Sequence, residues 1–276
     1  MFNRCIWVGN DFLFRSVFKA LSREGVSLHL GENLNRIERE ASDTVISHDG
    51  AALRVDRVLV AAGRRANTER LNLGCAGIEL TETGLVAVDD RLRTTNRKVY
   101  AAGDVCSRLQ FTHHADAQAR IVIQNALFAP TARVSRLVIP HCTYTTPEVA
   151  QVGSSHAALE RDGVRFARYA VRFSELDRGR SAGDDDGYAE LLVEPKRGAL
   201  LGATVVAEDA GELIAPVCVA MSNGLRLGDL GRTVYPYPTR SEYLRRLADN
   251  YNRTRLTPSV ARLMRTWLRF IGRESQ

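Results

Sequence analysis

The chain has 276 residues, 45% apolar, 25% charged and 7% aromatic, with a formal net charge of +6. That composition can bury a core and excludes the disordered and collagen-like classes, and no run approaches the roughly 18 to 20 apolar residues of a membrane-spanning helix. Nine arginines from Arg240 onward face Glu242, Asp249 and Glu274, so the net charge sits in the last stretch; the rest is neutral, which argues against a nucleic-acid partner.

Residues 1–10 hold Arg4 and a short apolar run without the sustained hydrophobic region or small-residue cleavage site of an export signal, so a cytoplasmic protein is expected. Behind Asp11 as N-cap, Phe12, Leu13, Phe14, Val17, Phe18 and Leu21 recur at helical spacing until Gly25. A short strand is expected at 26–30, a β-hairpin over 34–40 and 44–48, and a buried strand at 57–62 running into Gly63. Two further short strands, 85–88 and 99–102, follow a turn-rich connection. The stretch 113–128 has no breaker and suits a helix ending before Pro130. A composition break at 129–137 separates this from strands at 164–173, 187–193 and 199–207, expected in one antiparallel sheet, and helices at 211–223 and 239–252. The predicted class is α/β followed by α+β.

Cysteines at 5, 75, 106, 142 and 218 stand singly, with no CxxC and no Cys/His cluster at metal-ligand spacing. Inert thiols in a reducing compartment and no metal site are expected.

The most informative stretch is TTNRKVYAAGDV, 94–105, where an apolar strand runs into Gly103 and Asp104. Glycine permits close backbone approach, and a carboxylate just beyond a strand can accept hydrogen bonds from sugar-like hydroxyls, although an ordinary turn also uses this pair. Around it stand VLVAAGRRAN (58–67), FTHHADAQARIVIQNALF (111–128), PHCTYTTPEVAQVG (140–153) and YPYPTRSE (235–242). In that order these segments resemble the flavin-dependent pyridine nucleotide-disulfide oxidoreductases, the family of dihydrolipoamide dehydrogenase, glutathione reductase and mercuric reductase.

The resemblance implies partial nucleotide-binding domains and an α+β dimerisation domain. Its expected boundaries are 1–66 for the end of the NAD(P)-binding domain, 67–132 for the FAD-binding part, 138–256 for dimerisation and 257–276 for a basic tail helix. Gly63 would lie near the nicotinamide cofactor, Gly103 and Asp104 at the ribityl chain of FAD, and the backbone of Thr112 and His113 against the flavin ring. A helix N-terminus at that ring would stabilise a reduced, anionic flavin. For His113 and His114 a polar pair capping the helix is the alternative reading.

The family's acid/base group is a histidine before Pro-Thr, oriented by a glutamate five residues later. Here Tyr237 precedes Pro238-Thr239, with Glu242 at the glutamate's place. A phenol, with a reference pKa of about 10, is a poor base at neutral pH. Mercuric reductases carry tyrosine at this position too, but end in a cysteine pair that RFIGRESQ lacks. Glu242 also fits a capping box with Thr239.

The sequence contains neither the GxGxxG that grips a dinucleotide pyrophosphate nor a CxxxxC redox pair. A C-terminal portion of an FAD-dependent NAD(P)H oxidoreductase is therefore expected, homodimeric, inactive alone, and completed by an upstream chain. The alternative is a non-catalytic dimerisation module. Behind Thr257-Pro258, Val260, Leu263, Met264, Trp267, Leu268 and Ile271 line one helical face opposite several arginines. Residues 258–273 would dock on the protein itself or lie on an anionic membrane surface.

Overall fold

The computed structural model describes residues 11–40, 43–184 and 186–272. The leader reading of residues 1–10, Cys5 and residues 273–276 lie outside them. Helix α1 spans Asp11–Arg23, as its apolar spacing predicts. The chain divides into two compact units: Val26–Ile139 belongs to the first, whereas α1 joins Pro140 onward in the second. Within the second unit Lys19 Nζ and Arg23 Nη1 pair with Asp186 at 2.8 and 3.1 Å, and Val17 is buried.

In the first unit β1 (Leu34–Glu40), β2 (Asp43–His48) and β3 (Ala51–Val55) form an antiparallel sheet in that order. The hairpin was legible from alternation; β3 was not expected. Its turn, Asp49-Gly50, has φ of +35° and +86° and joins the paired residues His48 and Ala51, a two-residue loop of the kind Asp-Gly favours.

The expected strands at 26–30 and 57–62 do not form. Leu59 is 90% exposed and Val60 75%. A buried strand needs a pairing neighbour on each side, and the only sheet the described residues build in this unit is β1-β2-β3. The 85–88 and 99–102 segments likewise make only isolated bridges, such as Val88 to Thr94 and Arg93 to Tyr100. Helix α2 (Thr112–Leu127) forms where expected, burying His114, Gln118, Ile121 and Asn125 on one face.

The second unit continues with β4 (Pro140–Thr143), β5 (Glu148–Gly153), α3 (His156–Arg161), β6 (Ala167–Arg172), α4 (Asp177–Ala182), β7 (Tyr188–Val193) and β8 (Leu200–Ala207). Its antiparallel sheet has the order β4-β5-β8-β7-β6. Helices α5 (Ala210–Leu213), α6 (Ala215–Ser222), α7 (Leu227–Leu230), α8 (Tyr243–Arg255) and α9 (Pro258–Ile271) follow. Strand β7 is buried at every position, and α8 adds Tyr243, Leu244, Leu247, Ala248 and Tyr251 to the core. Each large apolar side chain so buried contributes about 1.5–3 kcal/mol. The mixed α/β and α+β class agrees with the sequence reading.

Helix α9 has the expected Thr257 cap, whose side chain accepts from the Val260 N–H, yet it buries no residue. Docking of this helix on its own protein is therefore not what the structure shows. Leu263, Met264, Trp267, Leu268 and Phe270 are all exposed, Trp267 by 61%.

Candidate functional site

The first unit presents Asp104 through a buried polar relay. Gly103 opens a single 3-10 turn (Gly103–Val105) with φ +83°, and a Cβ there would stand 3.2 Å from the Ala115 Cβ of α2. Both the dihedral and the close approach favour glycine. The Gly103 N–H donates to Gln118 Oε1 at 2.6 Å. With that oxygen accepting, the Gln118 amide nitrogen donates to His114 Nε2 at 3.2 Å, and His114 Nδ1–H donates to the Leu109 carbonyl at 2.9 Å. The network thus assigns His114 as a neutral Nδ1–H tautomer.

This relay corrects the capping-pair reading. His114 is buried and holds the 103–109 loop; exposed His113 stacks on Phe111, ring centroids 5.3 Å apart. At the start of α2 the N-cap is Phe111, with no side-chain cap. The start of α2 carries the partial positive charge that a helix N-terminus offers an anion or polarised ring.

The Asp104 carboxylate is 46% exposed and lines a cavity of about 420 Å³ with Arg64, Arg65, Ala66, Asn67, Val105 and Gln110. Arg64 Nη1 donates to Asp104 Oδ2 at 3.1 Å and to the Gln110 carbonyl at 3.2 Å. The AAGRRAN and AGDV motifs, 40 residues apart, therefore meet at one place. A carboxylate accepts about four hydrogen bonds, so the Arg64 contact leaves Asp104 capacity for a hydroxyl. Gly63, next to Arg64, is exposed with φ +110°.

In the second unit Tyr237 is 70% exposed, and its hydroxyl donates to Asp177 Oδ2 at 2.6 Å. That hydrogen bond, and the charge behind it, push the phenol above its ordinary pKa. Glu242 is buried, accepting from Arg245 Nη2 at 2.9 Å with Arg246 Nε at 3.4 Å, while its Oε2 is buried without a hydrogen-bond partner. The capping box is not made. A 3-10 turn (Arg240–Glu242) precedes α8, and Thr239 Oγ1 donates backward to the Pro236 carbonyl at 2.7 Å.

Burial pushes the Cys106 thiol up to about 11. Cys142 also rises to about 11, through burial and then the Glu148 charge. Neither is a low-pKa redox thiol. Sequence reasoning missed Gln118, whose signal was a polar residue within the 114, 118, 121, 125 spacing of one helical face.

Residues 13–119 match the family profile "Pyridine nucleotide-disulphide oxidoreductase", and residues 139–248 match that family's dimerisation domain. The chain is 33% identical to a mercuric reductase of Streptomyces lividans over 87% of its own length and 50% of that protein. A mercuric reductase of Bacillus cereus is 31% identical, covering 83% and 37% of the two chains; a dihydrolipoyl dehydrogenase of Cupriavidus necator is 30% identical, covering 83% and 49%. The chain thus spans half or less of these curated relatives. Among solved structures, the HOCl-induced flavoprotein disulfide reductase RclA of Escherichia coli superposes with a TM-score of 0.78 at 28% identity, covering 85% of this chain and 54% of that one. LpdA of Mycobacterium tuberculosis gives 0.81 at 25% identity, covering 88% and 53%.

Proposed function

We propose, from the premise that this chain belongs to the pyridine nucleotide-disulphide oxidoreductase family, that it supplies the ribityl-side flavin contacts and the dimerisation domain of an FAD-dependent NAD(P)H oxidoreductase. FAD would accept a hydride from NAD(P)H and pass electrons to a disulfide or similar acceptor. The observation that carries this reading is the Gly103-Gln118-His114 relay, which fixes a half-exposed Asp104 carboxylate beside the uncapped start of α2. Asp104 would accept from ribityl hydroxyls. The Thr112 and His113 amides would face the ring, and Gly63 would adjoin the nicotinamide.

Among the family's parts, this sequence lacks the GxGxxG fingerprint and the CxxxxC pair. Pyrophosphate loops contribute charge-assisted hydrogen bonds of roughly 1.5–3 kcal/mol each. In this reading they come from an upstream chain, and the isolated chain neither retains FAD nor turns over. The boundaries 1–66, 67–132, 138–256 and 257–276 divide the cofactor-facing parts, dimerisation domain and tail, and the assembly is a cytoplasmic homodimer.

Tyr237 and Glu242 would complete the partner's active site. Tyr237, held neutral by Asp177, serves there as a hydrogen-bonding or substrate-positioning group rather than a base. Co-expression with the N-terminal remainder of the S. lividans relative, followed by NAD(P)H oxidation assays, tests the reading. Flavin retention with turnover supports it; a colourless, inactive complex overturns it.

A second reading, a non-catalytic dimerisation module on anionic membranes, is favoured by α9. Its apolar face is uncovered while Arg262, Arg265 and Arg269 supply positive charge, and no helix of the described residues can cross a membrane. A blue shift of tryptophan fluorescence on anionic vesicles, abolished by Trp267→Ala, is its expected signature.

A further inference from the structure

His29, Glu32 and His48 converge at one end of β2, one ligand-type atom from each lying within 4.8 Å of the others. Two local features bring them together. Gly31, with φ +73°, turns the segment before β1, and His29 Nδ1 comes within 3.2 Å of Glu32 Oε1. The strand register pairs His48 with Leu34, two residues beyond Glu32, and the Asp49-Gly50 turn fixes the end of β2. The other carboxylate oxygen, Glu32 Oε2, faces His48 Nδ1 directly. These two atoms lie out of contact with solvent and have each other as their close neighbour. The two imidazoles lie edge to face, 4.7 Å between centroids.

We propose that His29, Glu32 and His48 form a three-ligand site for a divalent transition-metal cation of the Zn²⁺ type. A carboxylate and an imidazole pressed together out of water, with a second imidazole beside them, form a donor set that a shared cation satisfies. Two nitrogens and one oxygen suit Zn²⁺ and its neighbours, whereas Mg²⁺ and Ca²⁺ prefer oxygen alone. With metal-ligand bonds of about 2.0–2.2 Å, tetrahedral ligand atoms stand roughly 3.3 Å apart. The 3.2 Å from His29 Nδ1 to Glu32 Oε1, a hydrogen bond without the ion, matches that spacing, and the closer Glu32–His48 contact would open to admit the ion.

Three protein ligands leave a coordination position open. The same residues border a cavity of about 470 Å³ whose remaining walls, Ile37, Ile46 and Leu53 among them, are apolar. Such walls lower the local dielectric and strengthen the ion's attraction to Glu32. The ion would pin the entry to β1 against the end of β2. None of these residues lines the Asp104 cavity, so the inference is independent of the flavin reading.

The test is calorimetric titration of the chelator-treated full chain with Zn²⁺, paired with the absorption spectrum of the Co²⁺ form. One ion per chain is expected, with no thiolate charge-transfer band and affinity falling at least about tenfold in each of His29→Gln, Glu32→Gln and His48→Gln. Circular dichroism of the metal-free variants separates lost ligation from lost folding; His29→Gln, before β1, is the substitution least able to disturb the hairpin. Absence of binding, equal affinity in the folded variants, or a thiolate band pointing to the cysteines would overturn the assignment.

Discussion

Gln118 Oε1 accepts the Gly103 N–H at 2.6 Å, and that bond sets the position of Asp104, the next residue in the chain. It also orients the rest of the Gln118 amide toward His114. A helix side chain thus fixes a loop backbone 15 residues upstream in sequence.

Replacing Gln118 with Ala leaves the Gly103 N–H and His114 Nε2 without partners, a cost of about 1–3 kcal/mol for a buried donor or acceptor. Urea unfolding followed through the first unit should show that loss, and the Gly103 amide should exchange faster with solvent. His114→Ala should behave similarly. Since both residues serve one network, the double variant should lose less than the sum of the single losses.

The phenol of Tyr237 is held above its usual pKa by donating to the Asp177 carboxylate. It therefore stays protonated at neutral and mildly alkaline pH. Difference absorbance between the parent and Tyr237→Phe should show this tyrosine ionising above about 10. Asp177→Asn should move that ionisation down.

Thiol reactivity should follow burial. Cys106 and Cys142, both pushed up to about 11, should resist alkylation near neutral pH, and Cys218 is raised by burial in the same direction. Exposed Cys75 should react first among the described cysteines. Peptide mapping after a brief iodoacetamide pulse reads the order.

Asp186 is held below the usual carboxylate range, chiefly by its hydrogen bond from Lys19 and further by the Arg23 charge. A depressed carboxylate stabilises the fold above its unfolded value of about 3.9, and that contribution disappears as pH falls through the folded value. Helix α1 should therefore become more exchangeable below about pH 4. Asp186→Asn should make its exchange high at neutral pH and remove most of this pH dependence. The pairs are exposed, so high salt should have the same direction of effect.

Elements were legible wherever periodicity met a boundary residue: α1 ending before Gly25, α2 before Pro130 and α9 behind Thr257. The apolar 57–62 run misled because hydrophobicity reports a preference for burial and does not supply pairing strands. Asp104 could be named from the Gly-Asp pair and its neighbours, whereas Arg64 reaching it is long-range and has no local signature. Thr239 and Glu242 had capping-box spacing, but the 3-10 turn and the Pro236 carbonyl took the hydroxyl elsewhere. The His29, Glu32 and His48 group escaped notice because its spacing matches no ligand motif. The Asp49-Gly50 dipeptide was the available hint that a hairpin brings His48 back.

The most direct measurement is the flavin-to-protein ratio of the purified chain, expressed alone and together with the N-terminal remainder of the S. lividans relative. Near-zero occupancy alone and near-stoichiometric occupancy in the complex are predicted, with Asp104→Ala in the complex weakening retention about tenfold or more, as loss of a charge-assisted hydrogen bond requires. Stoichiometric flavin on the chain by itself, or an unchanged ratio in the Asp104→Ala complex, would contradict the account.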